Sequence, residues 1–231
     1  VLNESIVSTE LGLKGIPNIS ESINLYRDIE ILAYAGGKIH IPYVTTSKGV
    51  NLIREAKKNN LDITASVSLA HITFSEKDIP EFDTNFKLIP PLRSESDLNS
   101  LKEGLIDGTI DYLTSMHEPF DIDNKKNVFD NASSGSIGLE SMFGLMSNQF
   151  TLEKTIDILT RKKIIFEVDD HPIEIGSFAD LSLFNPDKNY NFSENHILST
   201  SKNCAFIDSK HKGIVYGSIN GKNFTLNKLW T

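Results

Sequence analysis

The chain has few of the residues that would tie it to nucleic acid, an oxidising compartment or a membrane. Its 231 residues carry 23 Lys and Arg against 31 Asp and Glu, and a net charge of −8 argues against binding to phosphate backbones. A single cysteine, Cys204, rules out an intrachain disulfide. No apolar run approaches the roughly 20 residues of a membrane-spanning helix. We therefore expect a cytoplasmic protein without a nucleic-acid or membrane partner.

The order of helical and strand-like segments predicts an α/β fold. Apolar residues recur at helical spacing in three segments, each next to a β-rich run. The predicted helices cover residues 20–34, 47–59 and 94–104, and the strands cover 38–46, 62–70 and 108–115. Such alternation implies parallel βα units, in a doubly wound sheet or a (β/α)₈ barrel. About three units are present, which is too few to close a barrel.

The pattern of the chain changes after these βα units. Two further helices are predicted at 135–147 and 151–162, after which short alternating strands with Gly and Asn turns follow. The run GSINGKN at 217–223 predicts a hairpin turn rather than a phosphate loop, because no helix start follows it. We expect two domains, an α/β part at 1–168 and a small β domain at 169–231.

Several segments, in their order along the chain, resemble the dihydroorotase family of the amidohydrolase superfamily. The similarity covers nearly the whole chain, and no single motif carries it alone. The segments are LGLKGIP at 11–17, HIPYVTT at 40–46, DTNFKLIPPLRSESD at 83–97, EGLIDGTIDYLTSMHEP at 103–119, GSIGLES at 135–141, ADLSLFNPD at 179–187 and LSTSKNCAF at 198–206.

This resemblance implies a fold and a reaction. The fold is a (β/α)₈ barrel carrying a small β-sandwich, of which this chain matches the later part. The reaction is the reversible ring opening of dihydroorotate to carbamoyl aspartate in pyrimidine synthesis. The earlier strands of the family, with a His-x-His pair and a modified Lys that bridges two zinc ions, have no counterpart here. We expect the chain to begin inside a longer protein and to need an N-terminal half-barrel.

The metal-binding positions that the resemblance places in this chain carry other residues. Tyr43 stands where the family has a zinc-binding His, and we expect the nearby His40 to be structural. Ala70 stands where the family has the metal-binding member of a His pair. His71 matches the other member, and the alternation of a strand predicts that it faces away from the metal.

The catalytic and substrate positions have changed as well. Met116 occupies the place of the family's catalytic Asp, while His117 and Pro119 keep the surrounding turn. Phe120 replaces a substrate-contacting His, and Ile89 replaces a polar substrate contact before PPLR. We expect Ala70, Ile89, Met116 and Phe120 to fill the former metal cavity with apolar volume. The retained Arg93 is expected to brace a loop or pair with a carboxylate.

These replacements leave two hypotheses. The first is a non-catalytic dihydroorotase homologue with a structural or regulatory role, which binds no metal through this chain and associates with aspartate transcarbamoylase or with itself. The second is an active zinc-dependent dihydroorotase, or a related cyclic amidase. It needs a rearranged site in which His71 or His117 serves as a fallback ligand and a missing N-terminal half completes the metal centre.

Three other polar clusters have less specific patterns. Asp169-Asp170-His171 is expected to be a solvated turn. Asp121, Asp123 and Asp130 around Lys125-Lys126 predict a polar loop, since the spacing of a calcium loop is absent. Ser133-Ser134-Gly135 precedes a predicted helix, so it fits either an anion site at the helix N-terminus or a simple cap.

Overall fold

The strands form three separate sheets in the part of the chain that the computed structural model describes, residues 1–80, 82–161, 166, 168 and 171–227. The strands are β1 (Leu2–Asn3), β2 (Gly15–Ile16), β3 (Ile39–Ile41), β4 (Ile63–Ser68), β5 (Tyr112–Thr114), β6 (Asp180–Asn191), β7 (Lys210–Asn220) and β8 (Asn223–Leu226). β1 pairs with β2, and β3, β4 and β5 form a parallel sheet in that order. β6, β7 and β8 form an antiparallel sheet. The fold is mixed α/β, as predicted.

The helices follow the predicted pattern closely in the first half of the chain. They are α1 (Ile6–Glu10), α2 (Asn18–Ala35), α3 (Ser47–Lys58), α4 (Leu69–Thr73), α5 (Glu95–Asp107), α6 (Ile122–Lys125), α7 (Met142–Gln149) and α8 (Leu152–Thr160). The three predicted helices are confirmed as α2, α3 and α5. α5 starts at the predicted Ser94, whose side chain accepts the Asp97 N–H. α2 starts earlier than the expected Ser20, with Pro17 at its N-cap.

The β3–β4–β5 sheet has one apolar face and one polar face. Ile63, Ala65 and Val67 of β4 alternate with Thr64 and the other even-numbered positions, and the apolar set is fully buried. The polar face carries His40 of β3, which is bonded to Thr64 Oγ1 at 2.8 Å. Parallel pairing brings the carboxyl ends of the three strands to one edge, and the candidate positions lie just beyond that edge.

The antiparallel sheet confirms the predicted hairpin. Residues Gly221 and Lys222 connect β7 to β8, and Gly221 has a φ of 57°, the left-handed region that favours glycine. The described chain therefore contains the Gly/Asn turn where the sequence pattern placed it.

The described structure divides into two compact units. The first comprises the described residues of 1–139 and 199–205, and the second comprises those of 140–198 and 206–227. The predicted division into 1–168 and 169–231 was based on a change of strand pattern. Its boundary falls at residues 169 and 170, which lie outside the described residues, so the division stays a prediction. Cys204 falls within the predicted β domain at 169–231, but it is buried and belongs to the first unit.

The predicted helix at 135–147 is wrong in its first half. Gly135 has a φ of 141°, and the N–H of Glu118 bonds to the Ser136 carbonyl at 3.0 Å, so this segment is extended. The helix starts only at Met142. Ser133-Ser134-Gly135 therefore precedes no helix, and neither the anion site nor the cap expected there exists. None of the described helices is long and apolar enough to cross a membrane.

Candidate functional site

Three of the candidate positions lie just past the ends of adjacent parallel strands. Tyr43 follows β3, Ala70 follows β4 and Met116 follows β5. Because these strands are parallel and paired in this order, the three positions share one edge of the sheet. In α/β barrels this carboxyl edge carries the catalytic groups. Here it carries a phenol, a methyl group and a thioether.

The backbone at two of these positions is left-handed although neither residue is glycine. Tyr43 has a φ of 53° and Met116 a φ of 46°. Non-glycine residues adopt this region rarely, and such strain concentrates at functional sites. Met116 is held there by a bond from its N–H to Thr114 Oγ1 at 3.2 Å, and its side chain is 4% exposed. A strained turn is present, and its central side chain is apolar.

Ala70 and His71 lie on a short helix, which corrects the expected strand. β4 ends at Ser68, and α4 begins at Leu69 with Ser68 as its N-cap. The two residues therefore do not alternate across a sheet, and the strand argument for His71 does not apply. Ala70 is buried and offers no donor atom.

Both ring nitrogens of the buried His71 are already bonded. Nε2 lies 3.0 Å from the Pro90 carbonyl oxygen and therefore carries the hydrogen, while Nδ1 accepts from the Ser68 hydroxyl at 2.6 Å. Burial lowers the pKa of His71 to about 4, with the nearby Arg93 acting in the same direction. The imidazole is neutral at physiological pH and has no free lone pair for a metal.

Hydrogen bonds hold His40 on the polar face of the sheet, it lines the same cavity as Tyr43, and its expected structural role stays a prediction. Its Nδ1 meets Thr64 Oγ1, its Nε2 lies 3.2 Å from Ser66 Oγ and 3.1 Å from the Tyr112 hydroxyl, and its ring stacks on that of Tyr112 at 5.2 Å. Burial lowers the pKa of His40, and the charge of Asp111 opposes that shift. These bonds position the ring within the polar face of the sheet.

A cavity of about 410 Å³ opens beside the end of β3. Tyr43 and Ile89 line it, together with Leu25, Pro90 and Arg93. The expectation that Ala70, Ile89, Met116 and Phe120 fill a former metal cavity stays a prediction. Ala70 and Met116 are buried, whereas Ile89 is 56% exposed and lines open space. Tyr43 and Ile89 therefore lie on an accessible wall.

Arg93 braces the start of the chain, as predicted. Its Nη1 donates to Asn3 Oδ1 at 2.8 Å and to the Ile16 carbonyl at 2.6 Å, and its Nε donates to Thr45 Oγ1 at 3.2 Å. The Glu21 carboxylate in turn accepts from both the backbone N–H and the hydroxyl of Thr45. Arg93 links β1, β2 and the loop after β3, and its described bonds are structural.

The turn after β5 is clamped from a distant part of the chain. Asn203 Nδ2 donates to the Glu118 carbonyl at 2.9 Å, and the Phe120 N–H donates to Asn203 Oδ1 at 3.1 Å. His117 Nδ1 accepts from the N–H groups of Gly138 and Leu139 at 3.4 and 3.3 Å. Burial raises the pKa of Glu118, and the charge of Lys125 opposes the shift. The Nδ1 atom of His117 therefore faces the backbone of Gly138 and Leu139.

Two lysines, which the sequence pattern did not single out as buried, close the loop between β5 and α7. Lys125 Nζ donates to the carbonyls of Thr84, Ser133 and Gly135 at 2.6, 2.9 and 2.9 Å. Burial lowers the pKa of Lys125 to about 8. The polar loop predicted around it is present, but this lysine lies inside the loop, where its three N–H groups are all used.

Lys87 binds the same loop in the same way. Its Nζ donates to the carbonyls of Phe129, Asp130 and Ala132 at 2.7, 3.0 and 2.6 Å. Burial also lowers the pKa of Lys87. The ammonium groups of Lys87 and Lys125 thus donate hydrogen bonds to backbone carbonyls in and around a loop that has little secondary structure.

The donor set in the described residues does not fit a zinc centre. A catalytic zinc takes about three protein ligands. Within residues 1–80, 82–161, 166, 168 and 171–227, no three His, Cys, Asp or Glu side chains come together in a way that would hold a metal ion. Of Asp169-Asp170-His171, the two aspartates lie outside the described residues, and the solvated turn expected there stays a prediction.

Comparison with known proteins gives a consistent family resemblance. No family model matches the chain. The dihydroorotase of Caldanaerobacter subterraneus subsp. tengcongensis is 37% identical over 224 residues, which is 93% of this chain and 51% of that protein. The chain is dihydroorotase-like. It spans about half the length of the curated relatives that it matches.

Solved structures support the fold. The L-hydantoinase (dihydropyrimidinase) from Arthrobacter aurescens superimposes with a TM-score of 0.81 at 22% identity, over 92% of this chain and 50% of that one. The inactive dihydroorotase-like domain of the Chaetomium thermophilum CAD-like multifunctional protein superimposes with a TM-score of 0.63 at 19% identity, over 87% of this chain and 54% of that one. Over about nine-tenths of its length this dihydroorotase-like chain therefore has the fold of about half of a hydantoinase chain.

Proposed function

We propose that this chain is the later part of a dihydroorotase-like (β/α)₈ barrel, followed by strands of a small β-sandwich, and that it is catalytically inactive. Its role in pyrimidine biosynthesis is structural or regulatory. The parallel β3–β4–β5 sheet with its flanking helices supports the barrel assignment, and the antiparallel β6–β8 sheet supports the sandwich assignment. An N-terminal half-barrel from elsewhere in the protein would complete the fold.

One observation carries the proposal. The carboxyl edge of the parallel sheet, where a barrel hydrolase keeps its ligands and its base, carries Tyr43, Ala70 and Met116. Their equivalence to the family's two metal-binding histidines and its catalytic Asp is part of the proposal. The left-handed turns at Tyr43 and Met116 support it, because the strained backbone persists without a side chain that moves a proton or binds a hard cation. An inactive domain among the similar folds is a precedent.

The partners of such a protein follow from the role. A scaffold subunit associates with aspartate transcarbamoylase or with further copies of itself, and both are proposed here with a cytoplasmic location. The chain needs no cofactor of its own under this proposal. Zinc would belong to a complete protein only if an intact metal site were restored.

The alternative is an active zinc-dependent dihydroorotase, or a related cyclic amidase. The 37% identity with a dihydroorotase favours it. It requires His71 or His117 to become a ligand. For His71 this means breaking the bonds to Ser68 and Pro90 and exposing a buried imidazole, which makes the alternative the weaker reading.

The test measures zinc per chain and the hydrolysis of dihydroorotate on protein that includes the N-terminal half. We expect less than about one tightly bound zinc ion per chain after incubation with the metal, because this chain supplies none of the roughly three protein ligands that a catalytic zinc takes, and we expect no turnover above the buffer rate. One or two tightly bound zinc ions with turnover would overturn the proposal. In that case His71→Ala and His117→Ala separate the two fallback ligands, since only the true ligand loses both metal and rate.

A further inference from the structure

A cavity of about 300 Å³ lies within the second compact unit, and it shares no lining residue with the cavity beside β3. One wall is the corner between α7 and α8, where Ser147 and Phe150 line it. The other wall belongs to the β6–β7 pair, with Asp187 and Lys212. Small-molecule sites span about 300–1,000 Å³, so this volume suits one small ligand.

Contacts inside this unit hold the two walls in place. Asn148 of α7 donates from Nδ2 to the Lys210 carbonyl of β7 at 3.0 Å. α7 lies close against β7 at Gly144, where an added Cβ would lie 2.5 Å from His211 Nδ1. The spacing of the walls is therefore set by α7 and β7 themselves.

A bulge in β6 positions Asp187 on its wall. Asn185 pairs with Ile214 and Asn189 pairs with Lys212, so three residues of β6 lie opposite one residue of β7. The Asp187 N–H donates to Asn185 Oδ1 at 2.9 Å, which fixes the turn of the bulge. Bulges of this kind redirect side chains away from the regular alternation of a strand.

Two opposite charges share this cavity without bonding to each other. The Asp187 carboxylate and the Lys212 ammonium both line it, and neither side chain forms an ion pair or a hydrogen bond with another described residue. A ligand that carries one charge of each sign would complement both groups at once.

The hydroxyl of Ser147 is an independent sign of a ligand. Ser147 is 8% exposed, and its Oγ is buried without a hydrogen-bond partner among the described residues. Buried polar groups in proteins are nearly always bonded. Because Ser147 lines the cavity, a molecule bound there can supply the missing bond.

The start of α8 adds backbone donors on the same wall. Thr151 is the N-cap of this nine-residue helix and accepts the Lys154 N–H at 3.3 Å, while the N–H of Leu152 bonds to no described residue. Thr151 and Leu152 both line the cavity. Free N–H groups at a helix N-terminus favour a negatively charged ligand group.

We propose that this cavity binds a free α-amino acid with an aliphatic side chain. Lys212, the Ser147 hydroxyl and the N-terminus of α8 bind its carboxylate, and Asp187 binds its ammonium group. Phe150 and Pro186, which also line the cavity, contact the aliphatic part. This binding does not depend on whether the protein hydrolyses dihydroorotate, so the two proposals fail separately.

Isothermal titration of L-valine into protein that includes the N-terminal half tests the site. We expect a dissociation constant on the order of 0.1 mM for a ligand of this size. Isobutylamine, which lacks the carboxylate, and 3-methylbutanoate, which lacks the ammonium group, each bind at least about tenfold more weakly. Asp187→Asn weakens L-valine at least about fivefold but leaves 3-methylbutanoate within about twofold, because only L-valine presents a cation to it.

Two further variants separate binding from folding. Lys212→Met weakens L-valine at least about tenfold, whereas Lys210→Met, the same change of charge at an exposed residue of the same strand that does not line the cavity, changes binding less than about twofold. Ser147→Ala weakens L-valine about three- to tenfold without lowering the melting temperature of the free protein, since it removes a hydroxyl that has no partner there.

Three results would each overturn the proposal. The first is no binding of L-valine at about 10 mM to the complete protein, which is also the result if another part of that protein fills the cavity. The second is binding of 3-methylbutanoate as tight as that of L-valine. The third is an equal loss of binding in Lys210→Met and Lys212→Met.

Discussion

The Nε2 atom of His71 lies 3.0 Å from the carbonyl oxygen of Pro90, and this contact fixes the histidine as a neutral structural group. It connects the helix after β4 to the loop that carries Ile89 and Arg93. With Nδ1 bonded to Ser68, the imidazole is fully used. A residue that resembles one member of a metal-binding histidine pair thus joins helix α4 to the loop that contains Pro90.

The buried His71 makes stability depend on pH in a defined direction. Its folded pKa of about 4 lies below its ordinary value of 6.5, so the unfolded chain binds more protons between these limits. The stability that the neutral imidazole contributes is complete above pH 6.5 and is lost as the pH falls towards 4. We expect this group to cost about 2 kcal/mol of unfolding free energy between pH 6.5 and 5.

Urea unfolding of wild type and His71→Gln at pH 7.5, 6.5 and 5 measures this contribution. The variant is less stable at pH 7.5, and its stability falls less steeply towards pH 5. Burial also lowers the pKa of His211 to about 4, so a residual slope of the same sign remains in the variant. Parallel pH profiles for the two proteins would show that His71 titrates normally in the fold.

Lys125 is expected to be indispensable for the loop that it closes. Lys125→Met keeps the aliphatic volume but removes a donor from the carbonyls of Thr84, Ser133 and Gly135. The Thr84 carbonyl keeps the Lys87 N–H and the Gly135 carbonyl keeps Asn203 Nδ2, so the Ser133 carbonyl loses most. The expected loss of unfolding free energy is at least about 1 kcal/mol, because a buried carbonyl left unpaired costs about 1 kcal/mol or more. Lys126→Met is the control at the exposed neighbouring position and changes stability by less than about 0.5 kcal/mol. Equal effects at the two positions would contradict the assigned role.

Placing a carboxylate at position 116 is expected to harm the fold without creating activity. Met116→Asp buries a carboxylate that has no partner and lowers the unfolding free energy by at least about 2 kcal/mol. Met116→Leu conserves volume and costs less than about 1.5 kcal/mol. Dihydroorotate hydrolysis stays at the buffer rate in both variants, since Tyr43 and Ala70 supply no metal ligand. Turnover appearing only in the Asp variant would mean that the rest of a catalytic site is intact.

A substitution at Gly135 tests how tightly this residue packs against the turn after β5. A Cβ at this position would lie 2.6 Å from Glu118 Oε2 and 2.6 Å from Phe120 Cε2, and the φ of 141° disfavours any side chain. We expect Gly135→Ala to cost more than about 3 kcal/mol, the sum of backbone strain and steric overlap. Gly108→Ala carries the strain alone, because Gly108 has a φ of 82° and open space around its Cβ. Its cost should stay near 1–2 kcal/mol, and thermal unfolding of both variants separates overlap from strain.

The sequence predicts the local elements well because their determinants are local. Ser94 and Asp97 mark the start of α5 within four residues, and Gly36 ends α2 by adopting a φ of 69°. The Gly/Asn hairpin between β7 and β8 is determined in the same way. Each of these signals acts over a single turn of chain.

The parts that the sequence did not predict depend on distant partners. The segment 135–141 has the apolar spacing of a helix, but it pairs with Glu118 and Asn203 instead. In the sequence Lys125 resembles a surface lysine. In the fold its Nζ donates to the carbonyl of Thr84, which lies 41 positions away in the chain. The end of β4 was predicted as strand through Ala70, but the Ser68 side chain caps a helix there. In all three cases a tertiary or capping bond outweighs the local pattern.

Asn203 has a further consequence for how the protein is made. Its bonds to Glu118 and Gly135 span 85 and 68 positions of the chain, and it belongs to a segment of only seven residues, 199–205, that returns to the first compact unit. The ribosome delivers that segment after residues 140–198. A nascent chain that has been synthesised as far as Leu139 contains the strands of the parallel sheet. It still lacks Asn203, whose side chain bonds to the turn after β5. Such long-range closure slows folding and leaves the turn around Met116 without its Asn203 bonds until residues 199–205 have been synthesised.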